Sequence, residues 1–446
     1  VSSTGWRSIV HAVLVDRGRV LLVPSRVRWA LPAVELDGDA EDDLSLAAHA
    51  LEEQLGSAAT ILRYLDRAVH RDRHVLELVY ELERPDPLPT PPGATWVARA
   101  DLPENALAIP GHAELLDRRL REDGQPVPKP RAPWAREGWL DEASGWIEAS
   151  LAGLGRPVTG RIEQLRVWCL SCLLRVPTAE GAVFFKATAA SPLFVDEGSV
   201  MRGLAQLFPG SVPEPLAVDQ PRRWMLLDDL GPELGWEAPT EIRELVHRRF
   251  ARIQVESSAR VDELLALGCI DRRPDWLAGQ VEELLADDEA LSKLDDVEIT
   301  RLRALAPRLV AICRGLAAQG VPDALVHGDL HLGNVARIDD RYVVYDWTDA
   351  CVTHPFFDLI DVFREKDEAV RTRVRDAYLS EWLAFAPMDR LLEAWAQAEL
   401  MASLHHAVSY RHILASIEPG AGLELEWALP EFLRRVLAVD VESLPV

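Results

Sequence analysis

The sequence predicts an α+β chain: a small α/β domain, then a bilobal body made of a compact β-rich N-lobe and a helical C-lobe. Three observations carry this expectation. Residues 8–97 alternate β-branched runs with one amphipathic helical stretch. The segment EDGQPVPKPRAPW, 122–134, holds four prolines in thirteen residues and reads as a linker. Beyond it, strand-like runs occupy 161–230, and from about 240 onward helical periodicity dominates, broken by one β-rich island at 324–350.

In the first domain, residues 8–24 read as a hairpin turning at Asp16-Arg17-Gly18. An acidic loop from Asp37 leads into a helix whose apolar stripe is Leu44, Ala47, Ala48 and Leu51, with Gly56 as its stop. HVLELVYELE (74–83) and GATWV (93–97) read as further strands. After the linker, a helix is expected over about 138–153. Three antiparallel strands follow within 161–188, then a helix at about 194–207 and two strands within 213–230. The helical lobe is predicted over 240–258, 259–267, 274–287, 297–319, 356–382, 388–413 and 427–438. The domains expected are 7–122, a linker at 123–135, the N-lobe with its leading helix at 136–230, and the C-lobe at 231–446.

The formal net charge of -24 argues against a nucleic-acid partner, which requires a basic face to neutralise phosphates. An acidic surface suits a cationic small molecule, and serves solubility equally well. The five cysteines, Cys169, Cys172, Cys269, Cys313 and Cys351, form an odd, sparse set and read as small buried hydrophobes, not a disulfide framework or a zinc site. No stretch of 18 uncharged apolar residues suggests a spanning helix, and the first twenty residues lack signal-peptide features, so no membrane partner is expected and the cytoplasm is the default location.

The chemistry concentrates in the island. His327-Gly328-Asp329-Leu330-His331-Leu332-Gly333-Asn334 follows a helical stretch, and twelve residues after Asn334 an apolar strand ends in Asp346. Phosphoryl transfer asks little covalent work of a protein. It needs a group that orients or deprotonates the acceptor hydroxyl, and hard oxygen ligands for the metal that neutralises the phosphates. Asp329 suits the first role, and Asn334 and Asp346 suit Mg²⁺. The octapeptide has the H-x-D-L-x-x-x-N spacing of a phosphotransferase catalytic loop. A polar loop of this composition can be a plain turn, and the second aspartate at a strand end is what favours the catalytic reading. Upstream, Lys186 sits inside the apolar run AVFFKAT as one of only four lysines. A lysine there calls for an anion, which makes it a candidate for ATP phosphates, with Glu197 as its carboxylate partner and Asp196 as the competitor. The end of RRWMLLDDL, around Asp228, is the candidate adenine hinge. There is no GxxxxGK[ST] loop, so a P-loop nucleotidase is excluded.

These residues resemble the aminoglycoside/choline phosphotransferase family, whose fold is protein-kinase-like. The resemblance covers 161–365: Lys186, Glu197, LVHGDLHLGN, VVYDWTDA and HPFFDL. It implies that Asp329 is the catalytic base, that Asn334 and Asp346 bind Mg²⁺, that His327 is structural, and that Asp358 braces the catalytic loop. Leu332 stands where proline is common and Thr348 where glycine is common; neither change removes a charge or a ligand. The region 7–122 resembles a Nudix hydrolase domain through WALPAVEL (29–36), EEQLG (52–56) and WVARADLP (96–103). Of the positions matching that family's box, Glu35, Glu41, His49, Ala50, Glu53, Gln54 and Gly56, only Glu41, Glu53 and Gly56 keep the family's residue. A diphosphate-bound metal needs clustered carboxylates, so the resemblance implies a Nudix-like fold without hydrolysis, acting as a structural cap or a ligand-sensing module.

The resemblance places the acceptor among the C-terminal helices, where His406 and Tyr410, spaced i,i+4, and Glu424 and Trp427 are candidates along with His331. Carboxylates beside an aromatic face suit an amine-bearing sugar or alcohol. The histidines of 398–414 lack a fitting carboxylate or cysteine and are not read as a zinc site. The expected activity is ATP-dependent O-phosphorylation of a small hydroxyl compound such as an aminoglycoside, an amino sugar or an amino alcohol. The alternatives are a protein kinase, disfavoured by the absence of an APE-ended activation segment, and a non-catalytic pseudokinase or metabolite-sensing regulator.

Overall fold

A computed structural model describes residues 5–26, 29–41, 43–84, 91–102, 107–236, 238–441 and 444. The Pro103 of the WVARADLP motif lies outside them. The chain condenses into two compact units. One takes the described residues of Val1–Ala189 with Trp224–Asp229 and Ile417–Glu424, and the other takes Ala190–Arg223, Leu230–Ser416 and Leu425–Val446.

In the first unit a mixed sheet runs in the order Ala33–Asp37, Arg7–Val13, Val75–Leu82, Ile61–His70. Arg7–Val13 lies parallel to Val75–Leu82 and antiparallel to Ala33–Asp37. The hairpin predicted over 8–24 therefore forms only at its tip, where Val15–Asp16 pairs with Arg19–Val20. The run before it is buried on both faces, which suits an interior strand of a larger sheet and not a hairpin arm. The helix Leu44–Leu55 starts at Asp43, whose side chain accepts from the Ser45 N–H, and stops at Gly56 in the left-handed region. Its predicted stripe, Leu44, Ala47, Ala48 and Leu51, is buried.

A second, antiparallel sheet of the same unit contains Glu163–Val167, Ser171–Thr178, Gly181–Thr188 and Trp224–Asp228. The helix Trp139–Gly153 lays Trp139 and Trp146 edge-on or tilted against Phe185 and Trp224, with ring centroids between 5.7 and 6.1 Å apart. The amide of Gln164 makes two 2.8 Å hydrogen bonds to the backbone of Ile61, one to its N–H and one to its carbonyl. Within the proline-rich stretch Trp134 is buried, and Arg131 joins a charge network. Arg63 binds Glu81 at 2.7 Å, Glu122 at 2.5 Å and Glu418 at 3.2 Å, while Arg131 binds Glu418 at 2.6 Å and Glu122 at 2.8 Å. The Arg63, Arg131 and Glu418 side chains are only 10–12% exposed. Glu418→Gln removes a charge shared by two poorly solvated guanidinium groups. Because Glu81 and Glu122 remain, the expected cost is about 1–3 kcal/mol, read by chemical denaturation.

In the second unit, long helices Thr240–Ser257, Pro274–Ala286, Asp296–Leu316, Met388–Ser416 and Ala428–Ala438 enclose a core that includes Leu309, Ile312, Phe356, Trp382, Met401 and Leu404. The single helix predicted over 356–382 is instead a 3₁₀ turn at Pro355–Leu359, one helical turn at Ile360–Phe363 and a helix at Glu368–Leu379. The interruption has a local cause: Asp367 caps the later helix by accepting from the Ala369 and Val370 N–H groups, which restarts it. All five cysteines are free and buried. Among the described residues no helix is long and apolar enough to cross a membrane.

Candidate active site

The strand Ala324–Val326 pairs with Cys351–Thr353 and delivers the chain to Gly328. There φ is +89°, and a Cβ would stand 2.6 Å from both the Cβ and the carbonyl oxygen of Asp349, so the turn requires glycine. Asp358, 1% exposed, pins this turn. Its Oδ2 accepts from the His327 N–H at 2.8 Å and from the Gln254 amide at 2.9 Å, and its Oδ1 accepts from the Gly328 N–H at 2.8 Å. Burial pushes its carboxyl up to about 7, against the lowering effect of the two backbone donors. His327 is fully buried, and burial lowers its pKa. Its Nε2–H donates to the Tyr345 carbonyl at 2.9 Å and its Nδ1 accepts from the Asp329 N–H at 3.3 Å, a neutral structural ring that orients the loop.

Asp329 turns its carboxylate outward, with 56% of the side chain exposed. His331 Nε2 lies 3.7 Å from Asp329 Oδ2. Partial desolvation would raise the Asp329 pKa, but the His331 ring outweighs it and holds the carboxyl below its ordinary value. Burial opposes a charge on His331, and Asp329 overcomes that, raising the imidazole pKa. Asn334 donates its amide N–H to the Asp329 carbonyl at 2.9 Å, which leaves its Oδ1 as the atom able to ligate. A two-stranded ribbon pairs Val335 with Val344, and the Tyr345 N–H donates to the Asn334 carbonyl at 3.0 Å. The ribbon thus brings Asn334 and Asp346 to the same end. Asp346 has φ +65°, a left-handed conformation that costs a non-glycine residue about 1–3 kcal/mol and is held by its surroundings.

Glu197, 2% exposed, opens the helix Glu197–Leu207. It accepts from the Trp347 N–H at 3.2 Å and from the Thr348 hydroxyl at 2.9 Å. The competing Asp196 is the cap of that helix, accepting from the Ser199 N–H at 3.0 Å. Lys186 lies in the first unit, half-buried, opposite Leu173 on one side and Met225 on the other. It therefore occupies an interior strand and not a sheet edge. Asp228 ends the strand Trp224–Asp228 opposite Val183, and its carboxylate is held by Arg156 at 2.6 Å.

Mg²⁺ bound with phosphates commonly uses one or two protein carboxylates plus phosphate and water oxygens. The amide oxygen of Asn334 and the carboxylate of Asp346 fit that donor set. Among the described residues no group of three or more His, Cys, Asp or Glu could hold a metal ion by itself, the histidines of Met388–Ser416 included.

A cavity of about 690 Å³ opens over Asp329. His331, Tyr410 and Trp427 line it, as do Trp236 and Arg364, which sequence reasoning passed over. Trp236 stacks on His331 with centroids 4.1 Å apart and a 21° tilt, and it is 59% exposed. Trp427 is 52% exposed, and the Arg364 guanidinium lies 6.0 Å from its ring. The other charges of the lining are largely spent: Glu365 pairs with Arg243, and Asp361 meets His247 at 3.2 Å. Two expected acceptor residues do not line the cavity. His406 is buried and stacks on Phe432 at 4.9 Å, and burial lowers its pKa to about 4. Tyr410 stacks on the same Phe432, so the predicted shared face exists, but His406 lies within the packing. Glu424 belongs to the first unit, where burial raises its carboxyl to about 7 in the field of Arg166, Glu41 and Arg67. Trp427→Ala or Trp236→Ala is expected to raise the acceptor KM about tenfold and leave the nucleotide KM unchanged, measured by steady-state kinetics with each substrate varied.

Residues 178–400, half of the chain, match the model of the phosphotransferase enzyme family. The chain belongs to this family. The pinned Asp329 loop lies within the matched residues. A glucosamine kinase of Streptacidiphilus jiangxiensis is 41% identical over 73 residues, so the chain spans only 16% of that relative's length. Among solved structures, a choline/ethanolamine kinase family protein from Mesorhizobium loti is 18% identical with a TM-score of 0.49, the likeness covering 69% of this chain and 95% of the other. A macrolide 2'-phosphotransferase type I is 16% identical with a TM-score of 0.47, covering 66% of this chain and 97% of the other. A spectinomycin phosphotransferase solved with ADP and spectinomycin is 10% identical with a TM-score of 0.44, covering 67% and 98%.

Proposed function

We propose that this kinase transfers the γ-phosphoryl group of ATP to a hydroxyl of a small polar molecule, an amino sugar foremost. The observation that carries the proposal is Asp329. It is held by Asp358, His327 and Asn334 at the mouth of the cavity, kept ionised by His331, and faces a space large enough for a sugar. Its carboxylate accepts the acceptor's proton as the oxygen–phosphorus bond forms and the bond to ADP breaks, and the proton then passes to solvent. Bound Mg²⁺ supplies neutralisation of the phosphate charge. Asn334 and Asp346 would hold it, and Lys186 and the backbone around Asp228 are the groups proposed for the phosphates and the adenine. The exposed rings of Trp236 and Trp427 offer apolar faces to a pyranose, while Arg364 offers donors to its oxygens. The name of the Streptacidiphilus relative supports an amino sugar as the first candidate.

Residues 7–122 are proposed as a Nudix-like domain without hydrolase activity, followed by the linker 123–135, the N-lobe 136–230 and the C-lobe 231–446. Inactivity is supported by Glu41, one of the surviving acidic positions, whose two oxygens are engaged by Arg67 at 2.9 and 3.0 Å and by the Tyr64 hydroxyl at 3.2 Å. Its charge is thus already neutralised. The test of the main proposal is ATP consumption across amino sugars, aminoglycosides, neutral sugars and amino alcohols, with the Asp329→Asn protein run in parallel. Turnover confined to the wild-type protein and greatest with an amino sugar is the expected result; turnover with none of these classes would point to a nucleotide-binding regulator instead.

A further inference from the structure

We infer that the Thr348 hydroxyl is a positioning group for phosphoryl transfer, coupling Asp346 to Glu197; the inference rests on Asp346 being the metal ligand. Thr348 Oγ1 stands 2.9 Å from Glu197 Oε2 and 3.1 Å from Asp346 Oδ1. It is 8% exposed, and Glu197 is 2% exposed. The adjacent Trp347 N–H donates to the other oxygen of Glu197 at 3.2 Å. Both oxygens of one buried carboxylate therefore hold the turn that follows Asp346. That turn is the part of the site most in need of holding, because Asp346 is in the left-handed region at φ +65° and its side-chain direction depends on keeping that conformation.

The hydroxyl has one proton and two carboxylate neighbours, so it donates to one at a time. Between two negative groups, this dipole both screens their repulsion and restrains the rotation of the Asp346 carboxylate. Glycine, which the family resemblance places here, has no hydroxyl. This chain thus carries a side-chain contact that the common residue cannot make. Groups that orient a metal ligand from outside the coordination sphere typically influence metal affinity or activity 10- to 100-fold.

Thr348→Val keeps the shape and removes the hydroxyl, and Thr348→Ser restores the hydroxyl without the methyl. The measurement is ADP binding by calorimetry over a Mg²⁺ series, with kcat and a thermal melt for each protein. The expectation is that Thr348→Val raises the Mg²⁺ concentration for half-maximal ADP affinity about tenfold and lowers kcat by a similar factor, leaves the acceptor KM unchanged, and that Thr348→Ser recovers most of both losses. Wild-type Mg²⁺ dependence in Thr348→Val, or equal impairment of the Val and Ser proteins, overturns the inference. If the Val protein does not melt cooperatively, Thr348→Ala replaces it under the same criteria. Asp346→Ala separates the two levels: an unchanged Mg²⁺ dependence in that protein removes the metal assignment itself, whereas a lost dependence beside a wild-type-like Thr348→Val removes only the role of Thr348.

Discussion

Asp329→Asn is expected to lower kcat by about 10²–10⁴, or about 3–5 kcal/mol of transition-state stabilisation, while nucleotide affinity stays near wild type. The substitution keeps the size of the side chain and leaves the loop's supports in place, since Asp358, His327 and Asn334 contact the backbone of 327–329 and not the Asp329 carboxylate. What is lost is the proton acceptor and the anion that raises the His331 pKa. The pH dependence has a definite sign. His331 holds the Asp329 carboxyl below its ordinary value, so the base remains ionised through the neutral and weakly acidic range, and activity falls only as pH drops through that depressed pKa. An acid limb near neutrality that persisted in the single-turnover rate would assign the base elsewhere. A kcat within threefold of wild type in the Asn protein would do the same.

Asp358→Ala is expected to cost several kcal/mol of stability and about 10² or more in kcat. The carboxylate is the acceptor for the buried His327 N–H and Gln254 amide and for the half-buried Gly328 N–H. Each buried donor left without a partner costs about 1–3 kcal/mol, and a displaced turn moves Asp329 out of reach of the acceptor hydroxyl. Asp358→Asn keeps one acceptor oxygen and should fall between the two. It also isolates a titration. The folded pKa of Asp358, pushed up to about 7 by burial, lies above the unfolded carboxylate value, so its stabilising contribution is complete below about pH 4 and is lost as pH rises through 7. Denaturation of the Asn protein between pH 4 and 7 should therefore show a shallower decline than wild type, and parallel profiles would remove Asp358 as the source.

The candidate loop was legible because its residues are local in sequence. Asp329, Asn334 and Asp346 lie within eighteen residues, and the apolar strand between them can only bring the ends together as a ribbon. Asp358 was legible only through family resemblance, since nothing in HPFFDL announces that its carboxylate will accept two amide protons from a loop thirty residues earlier. The acceptor side was read less well for a physical reason: periodicity identifies the residues that share a helix face but not what that face packs against. His406 and Tyr410 do share a face, and Phe432 covers it, so only the more distal Tyr410 reaches the cavity. Glu424 and Trp427 are three residues apart and belong to different units, because the chain passes from one to the other between Glu424 and Leu425. Trp236 and Arg364 were missed because a lone tryptophan after a glycine and an arginine after an apolar turn carry no signal until the cavity is seen. The broken helix at 355–379 follows the same logic: apolar spacing over 356–363 is helical, and the capping carboxylate of Asp367 overrides its continuation.

The most direct test is ³¹P NMR of the 446-residue chain with ATP, Mg²⁺ and glucosamine, followed to completion. The expected result is a phosphomonoester resonance on the sugar growing in equal amount with ADP, and its absence when Asp329 is asparagine. ATP converted to ADP and inorganic phosphate alone, with no phosphorylated product from glucosamine or from any other hydroxyl compound of the panel, would contradict a kinase acting through Asp329 on a small-molecule acceptor.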